Sequence, residues 1–165
     1  MVLNSDNVLK FIPKGLQLYG KKAQVGIDLA VTDITKIVGG AIFQSGKKDI
    51  KKYDEVPWFY SPDGVKTWKI NKGVYSLSFE QDIKLDNKHC AFVIGRSTTN
   101  RLGLLIRSAV FDPGFECPSI GATMYVFEDC EVEIQELSCL AQLVIFECQE
   151  AEVYNGDFQG EKDLK

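Results

Sequence analysis

The chain has 165 residues, which is about the length of one domain and short for two. Hydrophobic residues make up 45% and charged residues 25% of the chain, a balance typical of globular rather than disordered proteins. The formal net charge is −4 and no long basic tract occurs, so we expect no nucleic-acid polymer as a partner. The sequence contains no run of 18 apolar residues, so we expect no membrane-spanning helix. Asp6 disfavours an N-terminal signal peptide.

The cysteines do not follow a pattern typical of a disulfide framework or a zinc site. Five are present, an odd number, and no CxxC pair occurs. We interpret them as reduced thiols that pack as small apolar side chains in a cytoplasmic protein without a membrane partner. His89 is the only histidine, which disfavours histidine-based catalysis and a multi-histidine metal site.

The first third of the chain predicts a short helix and an exposed connection. Ser5-Asp6-Asn7 supplies capping residues before an apolar stretch, and Pro13 and Gly15 are expected to end that helix. Residues 44–69 are mixed in character and contain a turn signature at 61–64. We expect an exposed connection or hairpin there.

The rest of the chain predicts strands. Apolar or alternating segments of strand length occur at 25–31, 37–43, 74–80, 91–94, 104–111, 120–127, 132–135 and 140–146. A short helical turn is expected with Ser97 as its cap and Gly103 as its end. This pattern favours a mainly β fold, a distorted β-barrel or jelly roll with one or two short helices. We expect a single β domain over residues 1–153 and a flexible C-terminal arm over 154–165.

The stretch 95–116 combines residue types that bind a phosphate chain and activate water. Arg96 and Arg101 flank a helical turn that begins at Ser97, and a helix N-terminus with a hydroxyl and two guanidinium groups suits phosphates. Asp112 follows after one strand, and a carboxylate near phosphates is either a metal anchor or a general base. Each residue alone is explained as well by a surface charge, a helix cap or a turn. Only their order and spacing together favour a site.

Five segments resemble the signature of the dUTPase and dCTP deaminase family of trimeric nucleotide enzymes. Residues 95–104 are similar to the deaminase motif G-R-S-S-x-x-R-L-G-L, and residues 111–116 are similar to I-D-P-G-F-E. Residues 26–29 resemble the first motif, G-x-D-L, and residues 141–143 resemble the late A-Q-L strand. The tail at 154–160 is similar to Y-x-G-K-Y-Q-G.

The resemblance covers residues 16–160 and implies a fold, an assembly and an activity. It implies a dUTPase-like β-barrel or jelly roll that forms a homotrimer with nucleotide sites between subunits. The implied activity is that of a dUTP diphosphatase, which hydrolyses dUTP to dUMP and pyrophosphate with Asp112 as the catalytic residue that polarises water. Mg²⁺ is the implied cofactor. Asp28 would reach the ion through water, and a buried structural acid is an equal alternative for this residue.

The resemblance also implies a set of nucleotide-binding residues. The set consists of Arg96, Ser97, Arg101, Ser108, Ala109, Val110, Phe115, Gln142, Phe158 and Gln159. Arg96 and Ser97 would contact phosphates, and the backbone at 108–110 would read the uracil edge. Phe115 would lie beneath the deoxyribose and exclude a 2′-hydroxyl, which rejects ribonucleotides.

The main alternative is a dCTP deaminase, acting alone or as a bifunctional enzyme. Deaminases of the family use the glutamate of a T-L-E segment at the base, and Thr123 occupies that place when the chain is aligned backwards from the late strand. Threonine cannot act as a general base, and the loss of such a base typically costs about 10²–10⁴ in rate. A residue inserted near Pro118 leaves open that Glu116 reaches the base instead. A non-catalytic nucleotide-binding module is the second alternative, but it would need no residue that activates water.

Overall fold

The described part of the chain consists mainly of short strands. The computed structural model describes residues 1–17, 19–39, 43–44, 47–48, 52–127, 131–156 and 159–160. Two short α-helices occur there, α1 (Ser5–Val8), which a 3₁₀ turn at Leu9–Phe11 extends, and α2 (Ser97–Arg101). The strands are β1 (Lys21–Lys22), β2 (Ile27–Val38), β3 (Phe43–Gln44), β4 (Lys47–Lys48), β5 (Lys52–Glu55), β6 (Trp58–Tyr60), β7 (Lys66–Ile70), β8 (Gly73–Phe79), β9 (Ile83–Lys84), β10 (His89–Gly95), β11 (Leu104–Arg107), β12 (Glu116–Cys117), β13 (Gly121–Val126), β14 (Val132–Gln135) and β15 (Cys139–Glu147).

Six of these strands form a closed barrel. Their hydrogen-bonded order is β2–β15–β10–β11–β13–β8, and β8 pairs again with β2. All six pairings are antiparallel. Closure satisfies both edges of every strand in the ring, which removes the exposed edges of an open sheet. The predicted distorted β-barrel with short helices is confirmed.

The barrel interior is filled by alternate residues of its strands. In β8, Tyr75, Leu77 and Phe79 are buried and the residues between them are partly exposed. This period of two follows from the pleat of a strand, whose successive side chains point to opposite faces. Burial of one such large apolar side chain contributes about 1.5–3 kcal/mol to folding. The fully buried Leu29 and Met124 come from other strands of the ring, so one core joins all of them.

A separate three-stranded sheet in the order β14–β7–β6 accompanies the barrel. Strands β6 and β7 form a hairpin whose turn has Gly64 at φ +79°, and the amide of Gly64 donates to the carbonyl of Ser61 at 2.8 Å. The hairpin predicted within 44–69 is therefore confirmed for its second half. Among the residues described, no helix has the length and hydrophobicity needed to cross a membrane.

Two local predictions differ from the structure. The cap of α1 is Asn4, whose side chain accepts a hydrogen bond from the amide of Asn7, whereas Ser5 is the first helical residue. Of the runs predicted as two strands at 25–31 and 37–43, residues 27–31 and 37–38 belong to the single strand β2. The polar residues between the runs stay in the strand because they continue the pairing with β8 and β5. Residues 40–42 lie outside the described part.

We predict that Gly26→Ala destabilises the fold much more than Gly15→Ala. Both glycines have nearly the same left-handed backbone, with φ +72° and +70°, so both changes incur about 1–2 kcal/mol of backbone strain. An added Cβ at Gly26 would collide with the backbone carbonyl of Leu143, whereas an added Cβ at Gly15 would meet no atom within 4 Å. We expect the collision to cost about 2 kcal/mol more, measured by urea unfolding. Equal losses in the two variants would contradict the close approach of β2 and β15.

Candidate active site

Helix α2 begins directly after β10. Arg96 is its cap residue, with an extended backbone at φ −69° and ψ 158°, and Gly103 follows its end at φ +75°. Ser97, predicted as the cap, is instead the first helical residue, since the extended backbone that a cap needs belongs to Arg96. Its side chain is exposed and forms no hydrogen bond within the described residues. The Ser97 hydroxyl and the free amides of this turn therefore face outward together.

Buried contacts hold α2 in place. Thr99 is buried, and its hydroxyl donates to the carbonyl of Leu140 at 2.7 Å. The amide of Arg96 donates to the same carbonyl at 3.3 Å. Gly95 allows the helix to turn back closely, because a Cβ there would lie 2.7 Å from Oδ1 of Asn100. The predicted site residues did not include Thr99, whose only signal in the sequence is a hydroxyl inside a very short helical turn.

Three predicted residues meet beside this turn. Arg96 Nη2 lies 3.2 Å from Asp28 Oδ2, and Arg96 Nη1 donates to the carbonyl of Cys139 at 2.9 Å. Gln142 is the register partner of Asp28 between β15 and β2, and its side-chain amide donates to the carbonyl of Val25. We call Asp28, Arg96, Ser97 and Gln142 the α2 cluster.

The Asp28 carboxylate is held in a nearly dry position. Its side chain is only 10% exposed, whereas that of Arg96 is 39% exposed. Burial raises the pKa of Asp28 above its ordinary value, and the positive charges of Arg96 and Lys21 counteract that rise only in part. Asp28 and the Cys139 carbonyl together hold the guanidinium group of Arg96, which stays partly exposed.

A second group of predicted residues lies on the segment between β11 and β12. Ser108 still pairs with Val93, because its amide donates to the Val93 carbonyl at 3.1 Å and its hydroxyl accepts from the Val93 amide at 2.8 Å. Phe111 pairs with Ala91 through two hydrogen bonds of 2.9 and 3.0 Å. From Ser108 to Phe111 the chain advances three residues, whereas β10 advances only two between their partners Val93 and Ala91. The extra residue defines a β-bulge.

The bulge corrects the prediction of a strand over 104–111. Strand β11 ends at Arg107, because the extra residue interrupts the ladder before pairing resumes at Phe111. Ala109 and Val110 are exposed at the bulge. Within the part of the chain that the structure describes, their backbone groups take no part in the sheet ladder, and the carbonyl of Ala109 accepts a hydrogen bond from the Ser108 hydroxyl at 2.6 Å.

Asp112 stands at the turn that follows the bulge. It is exposed, and within the described residues its carboxylate makes no hydrogen bond or ion pair. Its backbone carbonyl accepts from the amide of Phe115 at 3.0 Å, and Gly114 has φ +79°. The Phe115 ring stacks on Phe111 with centroids 5.1 Å apart and meets the edge of Tyr154 at 5.6 Å. The turn thus presents a free carboxylate beside a fixed aromatic ring.

Part of the C-terminal segment packs on this turn. The amide of Tyr154 donates to the carbonyl of Pro113 at 2.8 Å. The Gln159 side chain donates to the Gly114 carbonyl at 3.0 Å and accepts from the Glu116 amide at 3.2 Å. Gln159 thus lies near the Asp112 turn, while Phe158 lies outside the described residues. The flexibility expected for 154–165 stays a prediction.

The two groups of predicted residues lie at opposite ends of β10. Asp112 follows Phe111, which pairs with Ala91 near the start of β10. Arg96 directly follows the end of β10. Asp112 lies opposite Cys90, six residues before Arg96, and six residues of strand correspond to about 20 Å. Arg101 is exposed on the last turn of α2, at the Arg96 end. The described chain therefore carries two separate groups of predicted residues, which we call half-sites, and they do not meet within it.

The donor atoms determine what metal the chain could hold. Within the described residues, no three histidine, cysteine, aspartate or glutamate side chains converge on a point. Asp28 is the only carboxylate of the α2 cluster. Mg²⁺ in nucleotide enzymes is commonly held by one or two carboxylates together with water and substrate phosphates. The cluster fits an ion that arrives with a phosphate chain and does not fit a structural metal.

Comparison with known proteins identifies the family. Residues 10–148 match the dCTP deaminase-like family. The chain belongs to this family.

Relatives of the family carry both types of name. The chain is 31% identical over 141 residues to a deoxyuridine 5′-triphosphate nucleotidohydrolase of Methanocaldococcus jannaschii, covering 83% of this chain and 86% of the relative. It is 28% identical over 173 residues to a dUMP-forming dCTP deaminase of a Sulfurihydrogenibium species, covering 98% and 93% of the two chains. Sequence similarity alone therefore does not separate hydrolysis from deamination.

Two solved structures share the fold. The deoxycytidine triphosphate deaminase of Agrobacterium tumefaciens superimposes with a TM-score of 0.61 at 12% identity, over 87% of this chain. The chain spans about half of that protein's length, 47%. The EIAV dUTPase superimposes with a TM-score of 0.54 at 16% identity, over 85% of this chain and 92% of that one. Both likenesses confirm a dUTPase-like β-barrel.

We predict that Arg96→Gln raises the pKa of Asp28 further. The substitution removes the largest favourable charge, while the burial that disfavours the carboxylate remains. Because the pKa of Asp28 is higher in the folded state than in the unfolded state, the folded carboxyl keeps its proton to higher pH. The stability of the variant should therefore fall as the pH rises from the unfolded-state pKa through the folded-state pKa. NMR titration of the carboxyl carbon measures the shift, with Arg101→Gln as the control that leaves it unchanged. A pKa equal to that of the wild type would contradict the ion pair.

Proposed function

We propose that this protein is a dUTP diphosphatase, which hydrolyses dUTP to dUMP and pyrophosphate. The observation that carries the proposal is the unpaired, exposed carboxylate of Asp112 beside an open bulge, in a chain that also carries a separate cationic cluster. Archaeal relatives at 27–31% identity have names of this activity. We expect it to act in the cytoplasm, where thiols stay reduced.

The proposed active site forms between subunits of a homotrimer. Because the half-sites are about 20 Å apart along β10, a neighbouring subunit has to bring its α2 cluster to Asp112. An exposed apolar surface on the barrel suits such a contact. Leu105 and Tyr125 are register partners on β11 and β13 with both side chains exposed, and Ile94 is exposed on the adjacent β10.

In the proposed mechanism, Asp112 orients a water molecule and accepts its proton during attack at the α-phosphorus. Arg96, held by Asp28 and the Cys139 carbonyl, binds the phosphate chain of the leaving pyrophosphate. Ser97 and the free amides of α2 donate further hydrogen bonds to it. Mg²⁺, with Asp28 reaching it through water, would neutralise the triphosphate and favour one orientation.

The bulge is proposed to select the base and sugar. The amide of Ala109 and the exposed backbone at Val110 can exchange hydrogen bonds with the polar edge of uracil. Phe115, fixed between Phe111 and Tyr154, would pack under the deoxyribose where a 2′-hydroxyl would clash. This contact would favour deoxynucleotides over ribonucleotides.

Deamination is disfavoured by the groups around Thr123. Its register partners are Arg107 on β11 and Ser76 on β8, so no carboxylate stands directly opposite. Glu116, the acid that could have replaced the missing base, instead forms an ion pair with Lys84 at 2.9 Å. Its strand β12 pairs with β9, which holds it in that position. Water attack on cytosine would therefore lack a general base.

The first test is product analysis with dUTP and dCTP in the presence of Mg²⁺. We expect dUMP and pyrophosphate from dUTP and no change of dCTP. Asp112→Asn should lower hydrolysis about 10²–10⁴-fold and retain nucleotide binding, because an amide cannot accept the proton. Asp54→Asn, an exposed carboxylate on β5, is the matched control with normal activity.

Other outcomes of this test have definite meanings. Deamination of dCTP would show that an acid reaches the base and would overturn the proposal. Binding of nucleotide without any product would favour a regulatory binding module. Loss of binding together with hydrolysis in Asp112→Asn would make Asp112 a structural residue.

A subunit-mixing experiment tests the shared site. Asp112→Asn and Ser97→Ala subunits should each be inactive, but a mixed trimer contains sites that take Asp112 from one subunit and Ser97 from another. Random mixing at equal amounts should restore about a quarter of normal activity, because half of the subunits are intact at each half-site. Mixing Asp28→Asn with Ser97→Ala is the control, since both changes affect the same half-site. Equal results from the two mixtures would contradict a site between subunits.

A further inference from the structure

Two thiols lie in one row with Asp112 on the outer face of the barrel. Ala91 and Phe111 are paired by hydrogen bonds in an antiparallel bridge. The residues next to them, Cys90 and Asp112, therefore lie opposite each other. On its other edge β10 pairs with β15, and the amide of Cys148 donates to the carbonyl of Lys88 at 2.8 Å. Cys148 is therefore diagonally across from Cys90 on the same face.

The two thiols are neighbours and are accessible. Cys90 and Cys148 lie diagonally across adjacent strands on the same face, and both residues are partly exposed. Among the described cysteines, Cys117 is buried, and burial raises its pKa to about 12. Cys139 is partly exposed and lies beside the α2 cluster, where its carbonyl holds Arg96. Cys90 and Cys148 thus form the thiol pair among the cysteines that the structure describes.

We propose that Cys90 and Cys148 form a reversible modification site, which a hydroperoxide converts to an intramolecular disulfide beside Asp112. One sulfur attacks the peroxide, the O–O bond breaks, and a sulfenic acid and one water are formed. The other thiol attacks the sulfenic sulfur, the S–S bond forms, and a second water leaves. Two thiols and one H₂O₂ thus give a disulfide and two waters, and the two electrons lost by sulfur reduce the peroxide.

The surroundings of Cys90 make this oxidation slow in the resting protein. Burial raises the pKa of Cys90, and the neighbouring Cys148 and the negative charge of Asp112 add to the rise. A thiol that stays protonated is a weak nucleophile. Removing the charge at Asp112 should lower the pKa of Cys90 and speed the reaction.

The disulfide would act on the position of Asp112. It would tie β10 to the start of the C-terminal segment, and that segment contacts the Asp112 turn through the hydrogen bond from Tyr154 to Pro113. Displacement of a catalytic group by about 1 Å can cost on the order of 10²-fold in rate. We expect the oxidised form to hydrolyse dUTP at least about tenfold more slowly, reversibly with dithiothreitol. This effect rests on the proposed function, whereas formation of the disulfide does not.

Peptide mapping of the full chain tests the site directly. After treatment with H₂O₂ the protein should lose about 2 Da and yield a peptide that links Cys90 to Cys148. Cys90→Ser and Cys148→Ser should each prevent the link, while Cys139→Ser, the matched control, should not. Asp112→Asn should form the link about two- to tenfold faster at neutral pH.

The outcomes separate this proposal from the proposed function. Intact thiols under peroxide, or links to Cys139 or Cys130 instead, would overturn the modification site, and mapping of the wild type decides this without any variant. Equal oxidation rates in the wild type and Asp112→Asn would contradict the coupling to Asp112. A disulfide that leaves dUTP hydrolysis unchanged would overturn its effect on the site. A reduced protein that hydrolyses no dUTP would refute the proposed function but not the disulfide.

Discussion

The pairing of β10 within the closed barrel is the constraint on which both half-sites depend. The strand pairs with β15 along its full length and with β11 at its end, so its register cannot slip without moving its buried residues to the outer face. Its end leads into Arg96 and α2, and its start pairs with Phe111 just before Asp112. The barrel thereby fixes both the spacing of the half-sites and the faces on which they lie.

The charges of the α2 cluster follow from unequal burial. A carboxylate as dry as that of Asp28 is costly unless it is paired, and Arg96 supplies the partner. Arg96 itself is part-exposed and also bonded to the Cys139 carbonyl, so the ion pair uses only part of its donors. The cluster therefore combines a fixed guanidinium group with open donors, which is the arrangement that an anionic phosphate chain requires.

The barrel was predictable from the sequence, since strand periodicity is a local signal, whereas the residues of the α2 cluster were named through their resemblance to separate family motifs. Three other features were not predictable. The bulge at Ala109 and Val110 arises because this segment has one more residue between its paired positions than β10 has. This difference is a property of the pairing and cannot be read from either segment alone. The cap at Arg96 depends on where β10 ends. The proximity of Cys90 and Cys148 involves residues 58 positions apart in the chain, and cysteine spacing alone gives no sign of it.

Under the proposed function, the same pairing would keep hydrolysis separate from deamination. The groups proposed for phosphate chemistry lie at the two ends of β10, where helix α2 and the bulge interrupt the ladder and free polar groups for a ligand. A base-directed acid would have to come from β13, at the position of Thr123, within a regular ladder between Arg107 and Ser76. A change of this side chain alters the chemistry at the base without disturbing either half-site, because neither end of β10 contains it. The two activities are thus separable residue by residue, while the barrel that positions both stays the same.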